Sequence, residues 1–138
     1  MTSKRDELLA LAERCEKASG PYRILDLDIF RAIGAPLPSE FMSRKVGLEW
    51  DEVDLCFVMP IDTMRVRYEP PVYTASLDAA MTLVPANHDW SLFFDNGAAL
   101  AGCMPASDDG CDWTDVPGAT PALALCAAAL RAAAEMES

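Results

Sequence analysis

Apolar residues recur at helical spacing in four stretches of this 138-residue chain, and alternate with polar residues in several shorter stretches. Leu8, Leu11, Ala12 and Cys15 follow the i, i+3, i+4, i+7 rule and leave Glu13, Glu16 and Lys17 to face water. A first helix is therefore predicted from about Asp6 to Ser19. Ser3 can cap it, Asp6 and Glu7 suit its positive end, and Gly20-Pro21 stops it. A second helix, about Arg23 to Ile33, sets Leu25, Ile29 and Ile33 on one face and is ended by Gly34 and Pro36. The two form a hairpin with a very short turn. A third is expected in PVYTASLDAAMTLVP, capped by Thr74 or Ser76, buried through Leu77, Ala80, Met81 and Val84, and ended by Pro85. Thr120-Pro121 opens a fourth that reaches about Ala134, with Leu123, Cys126, Ala127 and Leu130 on its apolar face.

Between the second and third helices, Pro36, Pro38, Pro60, Pro70 and Pro71 favour loops and short extended pieces. Asp54 to Met59 and Thr63 to Tyr68 are strand-like, the latter because Met64, Val66 and Tyr68 alternate with Arg65 and Arg67. Pro60-Ile61-Asp62 would turn between them. The clearest strand is Asp89 to Asp95, with Trp90, Leu92 and Phe94 on one side. Asn96-Gly97 tolerates positive φ at both positions and predicts a hairpin to a partner strand, Ala98 to Met104. Cys111 to Asp115 is a further candidate strand. The expected class is α+β: a short antiparallel sheet with about four helices and three to five strands, in one domain over residues 1–138.

Composition adds exclusions. With 51% hydrophobic residues the chain has material for a core, and no apolar run approaches the ~20 residues that span a bilayer. Charge interrupts the N-terminus throughout, so no signal-peptide apolar region is read there and a cytoplasmic protein is expected. The net charge of −11 repels phosphate, and the basic pairs Lys4/Arg5, Arg44/Lys45 and Arg65/Arg67 are scattered, so direct nucleic-acid binding is not expected. Cys15, Cys56, Cys103, Cys111 and Cys126 lack CxxC spacing and read as free thiols in a reducing compartment.

Three blocks, LDLDIFRAIG, VYTASLDAAMTLVP and GATPALALCAAALRA, together resemble the phage ABA sandwich domain family, whose members are encoded largely in bacteriophages and prophages. The resemblance covers the first 34 residues and then Pro71 to Ala134. It departs at Tyr22, where a small polar cap is expected, and over Ala35 to Glu69, which matches nothing and reads as a variable insertion around 35–70. The resemblance implies an antiparallel sheet layered between helices, an α/β/α sandwich, and it implies no catalytic residues.

His88 is the only histidine, and no GxSxG, HExxH, P-loop or GxGxxG motif occurs. Ser91 near it has no evident acid partner. Zinc could draw on Cys103, Cys111, His88 and one of Asp108, Asp109 or Asp112, but paired ligands at short spacing are missing. Cys103 and Cys111 could instead pair as a disulfide across their loop. No catalytic residue, metal ligand or cofactor is therefore assigned.

Two acidic clusters remain: Glu49, Asp51, Glu52 and Asp54 around Trp50, and Asp108, Asp109, Asp112 and Asp115 beside Trp113. They read either as solvated loops or as a partner surface on which carboxylates steer a basic protein and tryptophan anchors it. The preferred reading is a non-enzymatic phage or prophage accessory protein acting by protein–protein contact, with a homodimer as one form. The alternatives are an inhibitor of host defence, of anti-CRISPR or DNA-mimic type, and a small metal- or thiol-dependent enzyme.

Overall fold

The helix boundaries follow from caps that the sequence carries. The computed structural model describes residues 3–33, 49–51, 56–61, 64–68, 71–105 and 115–137. Helix α1 (Lys4–Lys17) starts at Ser3, whose Oγ accepts the Asp6 N–H at 3.1 Å, and it buries Leu8, Leu11, Ala12 and Cys15 as predicted. Helix α2 (Arg23–Ile33) buries a wider arc than the Leu25–Ile29–Ile33 stripe. Ile33 is exposed, whereas Leu27, Phe30, Ala32 and the charged Asp26 are inside.

The third helix is shorter than its sequence pattern suggested. Helix α3 spans only Leu77–Met81, and its cap is Ser76, which accepts the Ala79 N–H, rather than Thr74. After Met81 the chain tightens into three-residue hydrogen bonds, Thr82 to Ala79, Leu83 to Ala80 and Val84 to Met81. That tighter winding rotates the buried face, so Leu83 goes inside and Met81 stays exposed. Helix α4 (Pro121–Glu135) begins at Thr120, which accepts the Leu123 N–H at 3.2 Å. Every residue from Ala122 to Leu130 is buried, as befits a helix that is apolar on nearly all sides and lies at the centre of the fold.

The described strands form two antiparallel sheets of three. In the first, β1 (Glu49–Asp51) pairs with β2 (Cys56–Ile61), which pairs with β3 (Met64–Tyr68). The register sets Met64, Val66 and Tyr68 opposite Ile61, Met59 and Phe57. Pro60 lies within β2, opposite Arg65, rather than opening the turn. In the second sheet β4 (His88–Asp95) and β5 (Ala98–Pro105) form the predicted hairpin, with φ of 54° at Asn96 and 83° at Gly97. A short β6 (Val116–Gly118) pairs with β5; of the candidate strand Cys111 to Asp115, residues 111–114 lie outside the described ones.

The register of the second sheet defines its core face. Trp90, Leu92 and Phe94 sit opposite Cys103, Ala101 and Ala99 on that face, where Trp90 and Leu92 pack against the core but Phe94 is 62% exposed; Ala101 and Ala99 in turn sit opposite Val116 and Gly118. Helix α4 packs on β5 and β6, α1 packs on α4 and β6, α2 on α1, and α3 on α4. The approach of β6 to α4 is so close that a Cβ on Gly118 would lie 2.4 Å from the Ala124 nitrogen. Among the described residues, four helices and two three-stranded antiparallel sheets make an α+β fold. On the reverse face of the second sheet Phe93 is 41% exposed, while Met104 is buried apart from the main cluster.

Candidate functional site

Three places in the fold carry chemistry: a buried polar junction, a cleft beside Cys103, and an acidic sheet edge. The junction is built on Asp26, a fully buried carboxylate on α2. Its Oδ1 accepts the N–H and the hydroxyl of Thr74, both at 2.8 Å, and its Oδ2 accepts Arg23 Nη1 at 2.8 Å. Thr74 Oγ1 in turn accepts the Tyr22 N–H at 2.9 Å. Tyr22, which has no capping oxygen, thereby has its amide satisfied from 52 residues downstream. Next to this knot, Cys126 Sγ donates to the Tyr73 carbonyl at 3.2 Å. A hydrogen bond with Cys15, then burial, then the nearby charge of Asp26 push the Cys126 thiol far up, so it stays protonated. Among the described residues no buried side-chain N or O atom lacks a hydrogen-bond partner. A buried carboxylate tied by three such bonds reads as a structural link between α2 and the Thr74 segment. Sequence periodicity placed Asp26 on a helix and missed this role; the only hint was an acid among apolar neighbours in LDLDIF.

The cleft, of about 440 Å³, lies between α1, the end of β5 and the last turns of α4. Leu9, Val116, Ala128 and Ala132 make its apolar floor, and Arg5, Arg131 and Glu135 stand at its polar parts. Arg131 is committed to Glu16 on α1, with Nε 3.0 Å from Oε2. Burial, followed by the negative charges of Asp89 and Glu135, pushes the Cys103 thiol up to about 11. It is therefore a thiol at neutral pH, and the thiolate that would attack a substrate is suppressed.

The third place emerges from how charge is distributed. Residues 68–130 contain no Lys or Arg, yet carry Glu69, Asp78, Asp89, Asp95, Asp108, Asp109, Asp112 and Asp115. The whole β4–β5–β6 sheet comes from this stretch. On β4, Asp89 and Asp95 are exposed, and between them Phe93 and Phe94 are 41% and 62% exposed.

Of the residues singled out as a partner surface, Glu49, Trp50 and Asp51 form β1, where Trp50 lies opposite Phe57. They are thus on a strand, where a solvated loop had been one reading. Glu52, Asp54, Asp108, Asp109, Asp112 and Trp113 lie outside the described residues, as does Cys111. Asp115 is exposed and precedes β6. His88 Nδ1 lies 3.0 Å from the Ala86 carbonyl in its own turn, and Ser91, three residues along β4, falls on the opposite side of the strand. Among the described residues no three His, Cys, Asp or Glu side chains gather to hold a metal ion. No described helix is long and apolar enough to cross a membrane. The exposed Phe93–Phe94 pair went unnoticed because alternation assigns one of two adjacent aromatics to the core.

Comparison of the chain with protein-family models, with curated proteins and with solved structures finds no match.

Proposed function

We propose that this chain works by binding another protein, as a phage- or prophage-encoded accessory factor in the bacterial cytoplasm, with no catalytic step or cofactor of its own. The observation that carries this reading is the absence of Lys and Arg over residues 68–130, combined with two exposed phenylalanines between carboxylates on β4. Carboxylates of one sign raise the encounter rate with a basic surface, and aromatic rings that become buried supply the affinity. The phage origin rests on the three-block resemblance. Residues from all three blocks, Asp26, Tyr73 with Thr74, and Cys126, meet at the buried junction. The thiol-enzyme reading draws no support from Cys103, whose thiolate is disfavoured.

The test uses the purified chain as bait in a host lysate, beside a variant with Asp78, Asp89, Asp95 and Asp115 changed to Asn. A partner retained by the wild type and lost by the variant is expected. Equal retention, or no partner at all, overturns the proposal. The same charge pattern favours one second reading. A surface with the sign of a phosphate backbone can occupy the nucleic-acid cleft of a host defence complex. Co-expression should then restore plaque formation by a phage that the defence targets; no rescue across the common systems sinks this version.

A further inference from the structure

Strand β4 is an edge: among the described residues it pairs with β5 alone. Edge strands are ordinarily protected by charged side chains, lysine above all, by proline, a bulge or brevity, or by a covering segment. β4 is eight residues long, carries acidic charge only at Asp89 and Asp95, contains neither Lys nor Pro, and pairs with β5 one to one from His88–Pro105 to Asp95–Ala98, with no bulge. The two-residue turn makes Asp95–Ala98 a hydrogen-bonded pair, and the antiparallel alternation then fixes every other residue. The N–H and C=O of Trp90, Leu92 and Phe94 therefore point away from β5, toward whatever lies beside the edge.

The side chains say what can lie there. A second copy pairing antiparallel about Leu92 would set Asp89 opposite Asp95 at both ends, and like charges directly opposite destabilise a pair. A strand with Lys or Arg six residues apart would meet both carboxylates, and apolar residues between them would cover Phe93 and Phe94. We propose that the β4 edge captures an extended, basic segment of a partner protein by strand addition. This rests on the protein-binding reading above and names the mode and chemistry of the contact.

The experiment measures binding of a fluorescein-labelled peptide, TKVVTTVKT, by fluorescence anisotropy. Binding should weaken at least tenfold when both Lys are replaced by Glu, and at least tenfold in a protein carrying Asp89→Asn and Asp95→Asn. Phe94→Pro removes an outward N–H and an exposed ring without touching the β4–β5 ladder, so it should fold and lose binding tenfold. The same peptide with its central amides N-methylated keeps its charge, loses its strand edge, and should bind wild-type protein at least tenfold more weakly. That arm does not depend on any variant folding. Methylated and unmethylated peptides binding within twofold overturn strand addition, as does an absence of binding. A wild-type dimer that Phe94→Pro dissolves overturns the basic partner in favour of a second copy. If a lysate partner still binds Phe94→Pro, the edge proposal falls while the protein-binding reading stands.

Discussion

Replacing Asp26 with alanine tests how the N-terminal helical hairpin is held to the rest of the chain. The substitution removes the acceptor for the Thr74 N–H and hydroxyl, each at 2.8 Å, and the counter-charge 2.8 Å from Arg23 Nη1. Removing one partner of a buried ion pair costs about 3–5 kcal/mol. The Arg23 side chain is 26% exposed, which places this pair at the low end. A buried amide left without an acceptor adds about 1–3 kcal/mol, and the two effects overlap because they share one carboxylate. The expected loss is about 4 kcal/mol, a large part of the 5–15 kcal/mol that holds a typical domain. Asp26→Asn keeps an oxygen for Thr74 but gives up the charge facing Arg23, and should cost about half as much. Thr74→Val loses one hydroxyl bond and the acceptor of the Tyr22 amide, for about 1–2 kcal/mol. Urea unfolding followed by circular dichroism measures all three, with equal m-values required for the comparison. A loss below about 1 kcal/mol for Asp26→Ala, or equal losses for Ala and Asn, refutes the reasoning.

Two glycines should respond to the same change for different reasons. Gly118→Ala drives a Cβ into the Ala124 backbone and should cost about 3 kcal/mol, since neither segment can withdraw without opening the β6–α4 contact. Gly97→Ala meets no atom within 4 Å, so its cost is the left-handed conformation alone, about 1–2 kcal/mol. If urea midpoints rank the two the other way, the close approach is not what constrains position 118. Thr120→Ala removes the cap of α4 and should cost about 1 kcal/mol by the same measurement; no change would mean that the Leu123 amide finds another acceptor. Alkylation of Cys103, followed by site-resolved mass spectrometry, should keep accelerating above pH 9 toward about 11. The sign follows from the folded thiol titrating above the unfolded one, which also lowers stability as pH rises through that window. A rate that levels off near pH 9 contradicts the burial argument.

What could be read in the sequence was local. Ser3, Thr120 and Asn96-Gly97 act within three or four residues of themselves, and each does in the structure what its chemistry dictates. Helix α2 spans its predicted Arg23–Ile33, but the Tyr22 amide at its start is held by Thr74 and not by a local cap. The misses depend on distant partners. Whether Asp26 faces water or the core is decided by Thr74, 48 residues away, and periodicity carries no signal of that. The VYTASLDAAM block read as one helix because caps and apolar spacing were present, but its first residues are taken up in binding Asp26, and only five residues wind as a helix. The acidic edge was invisible in a net charge, since a total of −11 does not reveal that residues 68–130 lack any cation. Strand order was needed to show that, among the described residues, β4 is paired on one side alone.

The Asp26–Thr74 contact ties two points 48 residues apart, and this bears on how the chain can change over generations. The stretch between the end of α2 and Pro71 is bracketed in sequence by this fixed pair of anchors. The entropy of closing such a connection grows only with the logarithm of its length, about 0.6 kcal/mol for each doubling. Insertions and deletions there are thus nearly neutral for the core, while single-atom changes at either anchor are not. A lineage of such chains would diversify in that stretch and hold its anchors constant.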